Sequence, residues 1–210
     1  MMLAIYGPTV TGKTSLALTI AKKFNSAIIS ADSRQIYKNL DIGTGKVSFD
    51  SRVQRYKNFW VVNNIKIYGF DIKETEQEYS SSDFIKDTNT FLSLIKKQKK
   101  TPIIVGGTGY YIKSLISPPQ SIGIPVNKKL RQTLEKLSIN DLYQKLLHVN
   151  PNRANKMNMS DKKNPRRLIR AIEISSYSKK VAEKYSKNSI KLIGLTASND
   201  YLFRKADFWL

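Results

Sequence analysis

Eight consecutive residues near the amino end, Gly7, Pro8, Thr9, Val10, Thr11, Gly12, Lys13 and Thr14, match the pattern G-x-x-x-x-G-K-[ST] without deviation. Glycines let backbone N–H groups turn inward round phosphate oxygens, and Lys13 adds a point charge. Thr14 offers a hydroxyl to Mg²⁺, and a helix starting there points its positive end at an anion. The loop alone does not say which phosphates it holds. A small-molecule or nucleotide kinase and a diphosphate-using transferase would both employ it, and a glycine turn without a ligand is the bland alternative.

A second polar run follows: Asp32, Ser33, Arg34, Gln35, Ile36 and Tyr37, then Asp41 to Lys46 in the order DIGTGK. A carboxylate placed opposite a phosphate loop can take a proton from an incoming nucleophile or position Mg²⁺, while Arg34 and Gln35 have the donors and acceptors to read a base edge. Asp32 taken alone fits a helix cap equally well.

The elements that must position these groups are legible in the hydrophobic pattern. Residues 3–6 read as a buried strand, and Leu16, Ala17, Ile20, Ala21 and Phe24 recur at helical spacing over 15–24. Strands are expected at 27–30, ahead of Asp32, and at 103–105, ahead of Gly106 and Gly107, with a helix over about 82–99 between them. Strands alternating with helices make this an α/β fold, a P-loop NTPase-like parallel sheet flanked by helices. Ligands of such sheets collect at the carboxyl ends of the strands, where Gly7, Asp32 and Gly106 fall.

From Pro118 to about residue 187 helical periodicity dominates, as in Leu130, Leu134 and Leu137 or Leu142, Leu146 and Leu147, and a helical insertion is expected. Residues 190–196 return to strand character and are expected to rejoin the sheet, and 49–72 alternates more loosely. The expected division is 1–117 for the core, 118–188 for the insertion and 189–210 for the return.

The chain has no cysteine and a single histidine, His148, which excludes disulfides, thiolate zinc sites and multi-histidine clusters. Any metal would be hard and oxygen-liganded. Lys plus Arg total 36 against 16 Asp plus Glu, a formal charge of +20 that favours polyanionic partners. Lysine runs such as Lys96, Lys97, Lys99 and Lys100 also fit a compositional bias. No apolar run approaches the ~20 residues of a membrane span, and no leader precedes the first strand, so a cytoplasmic monomer is expected.

The motifs GPTVTGKT, DSRQIYKNLDIGTGK, YSSSDF, PIIVGGTGYYIKSL and NPRRLIRAIEI occur in the order and approximate spacing of the bacterial tRNA dimethylallyltransferases, and the chain resembles that family over nearly its whole length. The resemblance implies transfer of a dimethylallyl group from dimethylallyl diphosphate to the exocyclic N6 amine of the adenosine just 3′ of the tRNA anticodon, with Mg²⁺ assisting. It implies that Gly7 to Thr14, a loop often described as nucleotide- or ATP-binding, holds the diphosphate through Thr9, Gly12, Lys13 and Thr14. Asp32 would be the general base, acting with Thr9 and Lys13, and Thr14 would face the metal.

Positions matching tRNA contacts are Asp32, Ser33, Arg34 and Gln35, then Thr108 and Arg131, and the run Arg166, Arg167, Leu168, Ile169 and Arg170. On residue pattern alone, the arginines of that run fit a solvated helix face, His148 fits helix-end packing, and Tyr110 and Tyr111 fit the core better than a stacked base. The family usually continues well beyond the position of Leu210, so a C-terminally truncated member is expected. The stretch VVNNIKIYGFD stands where the family commonly has a histidine. An RNA-binding remnant without turnover is the reading that such a truncation leaves open.

Overall fold

The computed structural model describes residues 2–46, 52–119, 121–177 and 189–207. The chain runs β1 (Met2–Tyr6), α1 (Lys13–Lys23), β2 (Ser26–Ser30), β3 (Val53–Arg55), β4 (Trp60–Val62), β5 (Ile65–Tyr68), α2 (Ser81–Lys97), β6 (Thr101–Gly106) and α3 (Gly109–Ile116). Then come α4 (Lys128–Leu134), α5 (Ile139–Val149), α6 (Pro151–Asn155), α7 (Met159–Lys162), α8 (Pro165–Ser175), β7 (Ile190–Gly194) and α9 (Asn199–Asp207). Two compact units result: β1 to α3 with β7 and α9, and separately α4 to α8.

In the first unit the described strands form one seven-stranded sheet in the order β3-β4-β5-β2-β6-β1-β7. β5, β2, β6, β1 and β7 pair in parallel, and the central β2, β6 and β1 carry the apolar runs of strands covered on both faces, while β7 is a partly exposed edge. β3, β4 and β5 are antiparallel, a departure from a wholly parallel sheet. The cause is local: Asn63 and Asn64 take φ of 50° and 66°, the backbone of a two-residue hairpin, which joins only antiparallel neighbours. Phe49, at the start of the expected alternating stretch, lies outside the described residues.

Alternation along the strands assigns the two sheet faces. Ile5, Ile28, Ile67, Ile103 and Val105 pack with Ala17 and Ala21, small residues that let α1 lie close to the sheet. On the opposite face Tyr68 stacks on Phe91 of α2, with centroids 5.3 Å apart, and Phe84 of α2 stacks on Tyr111 of α3 at 4.4 Å. Ser80 opens α2 with a reciprocal capping box, its hydroxyl accepting from the Asp83 N–H while the Asp83 carboxylate accepts from the Ser80 N–H.

The second unit packs Leu134, Leu142, Leu146, Ala154, Leu168, Ile169 and Ile172 into a core of its own. Its helices are short, and each depends on its cap: Asn127, Ser138, Asn150, Asn158 and Asn164 each accept from the N–H three residues on. Such caps contribute about 1 kcal/mol apiece. Asn-Pro starts both α6 and α8, with proline at the first helical position where its missing donor costs nothing.

Candidate active site

Three strands of the first unit end side by side, and their last residues form the site. β1 runs out at Tyr6 into Gly7, β2 at Ser30 into Ala31 and Asp32, and β6 at Gly106 into Gly107 and Thr108. Gly106 lies so close to Ala31 that an added Cβ would stand 2.0 Å from its carbonyl oxygen, so no side chain is possible there. Hydrogen bonds then stitch the strand ends together: Ala31 N–H to Val105 O (2.7 Å), Thr108 N–H to Ala31 O (3.2 Å) and Ser33 N–H to Thr108 Oγ1 (3.0 Å).

This stitching brings Asp32 to the phosphate loop. A Cβ placed on Gly107 would be 3.8 Å from Asp32 Oδ2 and 3.8 Å from the Gly7 carbonyl oxygen, so the carboxylate and the loop entrance flank the same glycine. Asp32 Oδ1 accepts from the N–H groups of Arg34 (2.9 Å) and Gln35 (3.4 Å). The turn hydrogen bonds thus fall on Oδ1, while Oδ2 faces Gly107.

The loop is tightly wound. Val10 and Gly12 take φ of 61° and 81°, and α1 begins directly at Lys13, placing Lys13 and Thr14 in its first turn. Lys13 Nζ donates to the Pro8 carbonyl at 2.5 Å, and the Thr11 hydroxyl donates to the same oxygen at 2.8 Å. Burial pulls the Lys13 ammonium below the ordinary lysine range, and the Asp32 charge works against that pull. The interaction ties the lysine electrostatically to the carboxylate. Thr9 is exposed at the rim, and Thr14 is half-buried.

The rest of the DSRQ run divides. Ser33 and Arg34 are exposed beside Asp32, whereas Gln35 is buried and committed inward. Its Oε1 accepts from the Ser30 hydroxyl at 2.7 Å, and its Nε2 donates to the carbonyls of Thr44 (2.9 Å) and Gly45 (3.0 Å). A base edge is out of its reach, which corrects the expectation from residue type. Gln35 instead anchors the DIGTGK loop.

That loop is held from below by Lys46, which sequence reasoning passed over. Its side chain is 1% exposed, and Nζ donates to Asp41 Oδ1 (2.8 Å), Asp71 Oδ1 (2.5 Å) and the Tyr37 carbonyl (2.8 Å). Arg55 closes the network on Asp41 Oδ2 at 2.8 Å. Nothing in a lysine following Gly-Thr-Gly announces burial, because its two acids stand five and twenty-five residues away.

Among the aromatic pair, Tyr111 is buried as expected, but Tyr110 is 55% exposed and does not belong to the core. His148 lies exposed in the last turn of α5.

In the second unit Leu168 and Ile169 are 0% and 6% exposed, so they are core residues and their side chains cannot meet RNA. Arg166 and Arg167 are exposed, Arg167 bonding Asp161. Arg131 and Arg170 converge on Glu173. Its Oε1 accepts from Arg131 Nε (3.1 Å) and from the Asn127 N–H (2.6 Å), and its Oε2 accepts from Arg131 Nη2 (2.9 Å) and Arg170. Arg170 also donates to the Ile124 carbonyl at 2.9 Å. Both guanidinium groups thus work as braces inside this unit while staying 32% exposed.

Residues 35–206 match the family model described as IPP transferase. The chain belongs to the IPP transferase family. Among its relatives, the tRNA dimethylallyltransferase of Streptococcus agalactiae serotype III is 36% identical over 206 residues, covering 96% of this chain and 64% of its own length. That of Anoxybacillus flavithermus is 35% identical over 211 residues, with 97% and 64% covered.

Two solved structures align with the fold. A full-length tRNA isopentenylpyrophosphate transferase from Bacillus halodurans has a TM-score of 0.57 at 29% identity, covering 97% of this chain and 62% of that one. A eukaryotic dimethylallyltransferase acting on tRNA has a TM-score of 0.76 at 25% identity, with 97% and 50% covered. The chain therefore spans less than two thirds of the length of these IPP transferase relatives. The family match opens at Gln35, so the phosphate loop lies outside it and stands on its own strand, loop and helix.

Proposed function

We propose that this chain transfers a dimethylallyl group from dimethylallyl diphosphate to N6 of the adenosine 3′ of the anticodon in tRNA, as a cytoplasmic monomer. The observation that carries the reading is that Asp32 Oδ2 and the Gly7 carbonyl both lie against Gly107. A proton acceptor and an anion cradle share one strand-end corner. Family membership and the tRNA dimethylallyltransferase relatives support the reaction class.

The exocyclic amine of adenine is a weak nucleophile, so the barrier must fall mainly through stabilisation of the departing diphosphate. Its nitrogen bonds the prenyl C1 as the C1–O bond to diphosphate breaks. Lys13 and the N–H groups at the start of α1 take up the charge released on the leaving oxygen, and Asp32 Oδ2 accepts the surplus amine proton. Thr9 at the rim lies where the donor enters. A phosphate oxygen outcompetes the neutral Pro8 carbonyl for the Lys13 ammonium on charge alone.

The hydroxyl of Thr14 beside the phosphate loop suits a divalent ion carried in with the substrate diphosphate. Among the described residues no three His, Cys, Asp or Glu side chains gather into a metal cluster. Mg²⁺ commonly binds through few protein oxygens plus substrate phosphates. Thr14 would hold it, and it would supply further neutralisation of the diphosphate.

The target adenosine has to leave its stack to reach Asp32, as RNA-loop bases generally do on recognition. Ser33 and Arg34, with Thr108, serve that base in this reading, while Arg166 and Arg167 with Arg131 and Arg170 serve the RNA backbone.

The test is incubation with dimethylallyl diphosphate and tRNA followed by mass analysis of the nucleosides. Prenylated adenosine is expected, with Lys13→Ala slower by about 10²–10³-fold, and Asp32→Ala losing far more in turnover than in tRNA affinity. Tighter thermal stabilisation by ATP than by the prenyl diphosphate would point to a kinase instead. Salt-sensitive tRNA binding without product would leave an RNA-binding remnant.

A further inference from the structure

The β3–β5 meander carries a face that the proposed reaction does not use. Trp60, Val62, Ile65 and Ile67 turn into the core beneath α1, so alternation leaves Lys66 and Tyr68 on the face shared with α2. There four aromatic rings follow one another. Tyr56 stacks on Phe59 with centroids 4.9 Å apart and planes 22° off parallel, Phe59 lies 5.8 Å from Tyr68, and Tyr68 stacks on Phe91. The outermost ring, Tyr56, is 52% exposed.

Cations frame this ladder. Lys66 Nζ stands 4.8 Å over Phe59 and donates to Gln98 Oε1 at 3.1 Å, while Gln98 Nε2 donates to the Tyr68 hydroxyl at 3.1 Å. These bonds fasten the end of α2 to the meander. Residues 52–70 contain Arg52, Arg55, Lys57 and Lys66 and no acid, and residues 88–101 contain four lysines and no acid. The two acid-free stretches therefore meet on one surface. Lys66 lies near the amino end of β5, and the lysines at the end of α2 and just after it precede β6. This side of the patch therefore lies toward the amino ends of the parallel strands, away from Asp32 and Gly107. Tyr56 and Lys57 follow Arg55, which is in register with Trp60 and Ile67, and lie nearer the other end.

We propose that this face is a second RNA-contact surface, on which Lys57, Lys66, Lys97 and Lys99 meet phosphates and Tyr56 stacks on an unpaired base. An exposed ring beside a cluster of cations is the combination that holds single-stranded nucleic acid irrespective of sequence. The lysines alone would suit any polyanion; the stacked ring favours a ligand with flat bases. The assignment rests on RNA being the substrate, and extends the footprint to a part of the tRNA outside the anticodon stem-loop.

Fluorescence anisotropy with whole tRNA and with the isolated anticodon stem-loop, across 0.05–0.2 M salt (about the range where phosphate contacts are read), tests this on the full chain. The variant carries Lys57→Gln, Lys66→Gln, Lys97→Gln and Lys99→Gln, with and without Tyr56→Ala. A control carries Lys22→Gln, Lys23→Gln, Lys136→Gln and Lys145→Gln, with the same net charge. At about 0.7–0.9 per phosphate contact, the patch variant is expected to lose about 3 in the slope of log K against log salt, and at least about tenfold in whole-tRNA affinity. Tyr56→Ala is expected to weaken whole-tRNA binding further without changing the slope.

Stem-loop affinity is expected to hold, and the control is expected to lose less. Equal losses in patch variant and control, or an unchanged slope, would overturn the proposal. So would patch-dependent binding to phosphatidylserine vesicles with tRNA affinity intact, which would assign the face to lipid. Patch-dependent tRNA binding with no prenylated adenosine would sink the proposed reaction and leave this surface standing.

Discussion

Lys46 illustrates how a buried side chain can fix a loop from within. A lysine withdrawn from water is tolerated only when its charge is matched, and here Asp41, Asp71 and the Tyr37 carbonyl take its three donors. The hydrogen bond from Lys46 is the leading reason that the Asp41 carboxyl sits below the usual carboxylate range. Replacing the cation by an apolar isostere leaves two acids facing each other. Lys46→Met is expected to cost about 3–5 kcal/mol in urea unfolding, the penalty for breaking a buried pair. The double change Lys46→Met with Asp71→Leu should recover much of it, because the buried anion goes too. If Lys46→Met unfolds at the wild-type denaturant midpoint, the network contributes nothing to the fold. At this scale the phosphate loop and Asp32 were legible because their chemistry is written in consecutive residues. The burial of Gln35 and Lys46 was not, since it depends on partners that only the folded loop supplies.

Helix α8 carries the same lesson for an element. Its motif was legible in the sequence, but Leu168 and Ile169, expected among the tRNA contacts, pack into the core with Ile172. The clamp on Glu173 was hidden, because Arg131 lies 42 residues away. The antiparallel meander was hidden for another reason, the left-handed Asn63–Asn64 turn, which residue type permits without demanding. Burial alone would raise the Glu173 carboxyl, but the hydrogen bonds from Arg131, Arg170 and the Asn127 N–H outweigh it and hold the group at about 2 against an ordinary 4.5. A depressed folded value means that the stabilisation is complete above the unfolded value and fades as pH falls from about 4.5 toward 2. The wild-type helical unit should therefore lose helicity by circular dichroism across that window. Glu173→Gln should flatten this acid limb while lowering stability at pH 7 by about 3–5 kcal/mol. An acid limb of undiminished depth in that variant would show that other carboxylates govern it.

For the whole molecule, the division into two units, each with its own core, makes ligand and acid act on different parts of the chain. The phosphate loop and its neighbour Asp32 belong to the sheet unit, and Glu173 with its two arginines belongs to the helical unit. A ligand that binds only the folded state stabilises what it binds by RT ln(1 + [L]/Kd), about 2.7 kcal/mol at a hundredfold excess over Kd. Pyrophosphate with Mg²⁺ is thus expected to slow amide exchange in β1, α1, β2 and β6, with the helices α4 to α8 little changed. Lowering the pH toward 3 should do the reverse and release the helical amides first. Hydrogen exchange read by mass spectrometry on the intact chain follows both in one experiment, and Lys13→Ala should abolish the first effect while sparing the second. Uniform protection of both units by pyrophosphate would mean that they unfold as one body. A net charge of +20 makes such an outcome separable from loose anion binding, because adventitious contacts to surface lysines weaken steeply with salt while a ligand enclosed by loop amides does not.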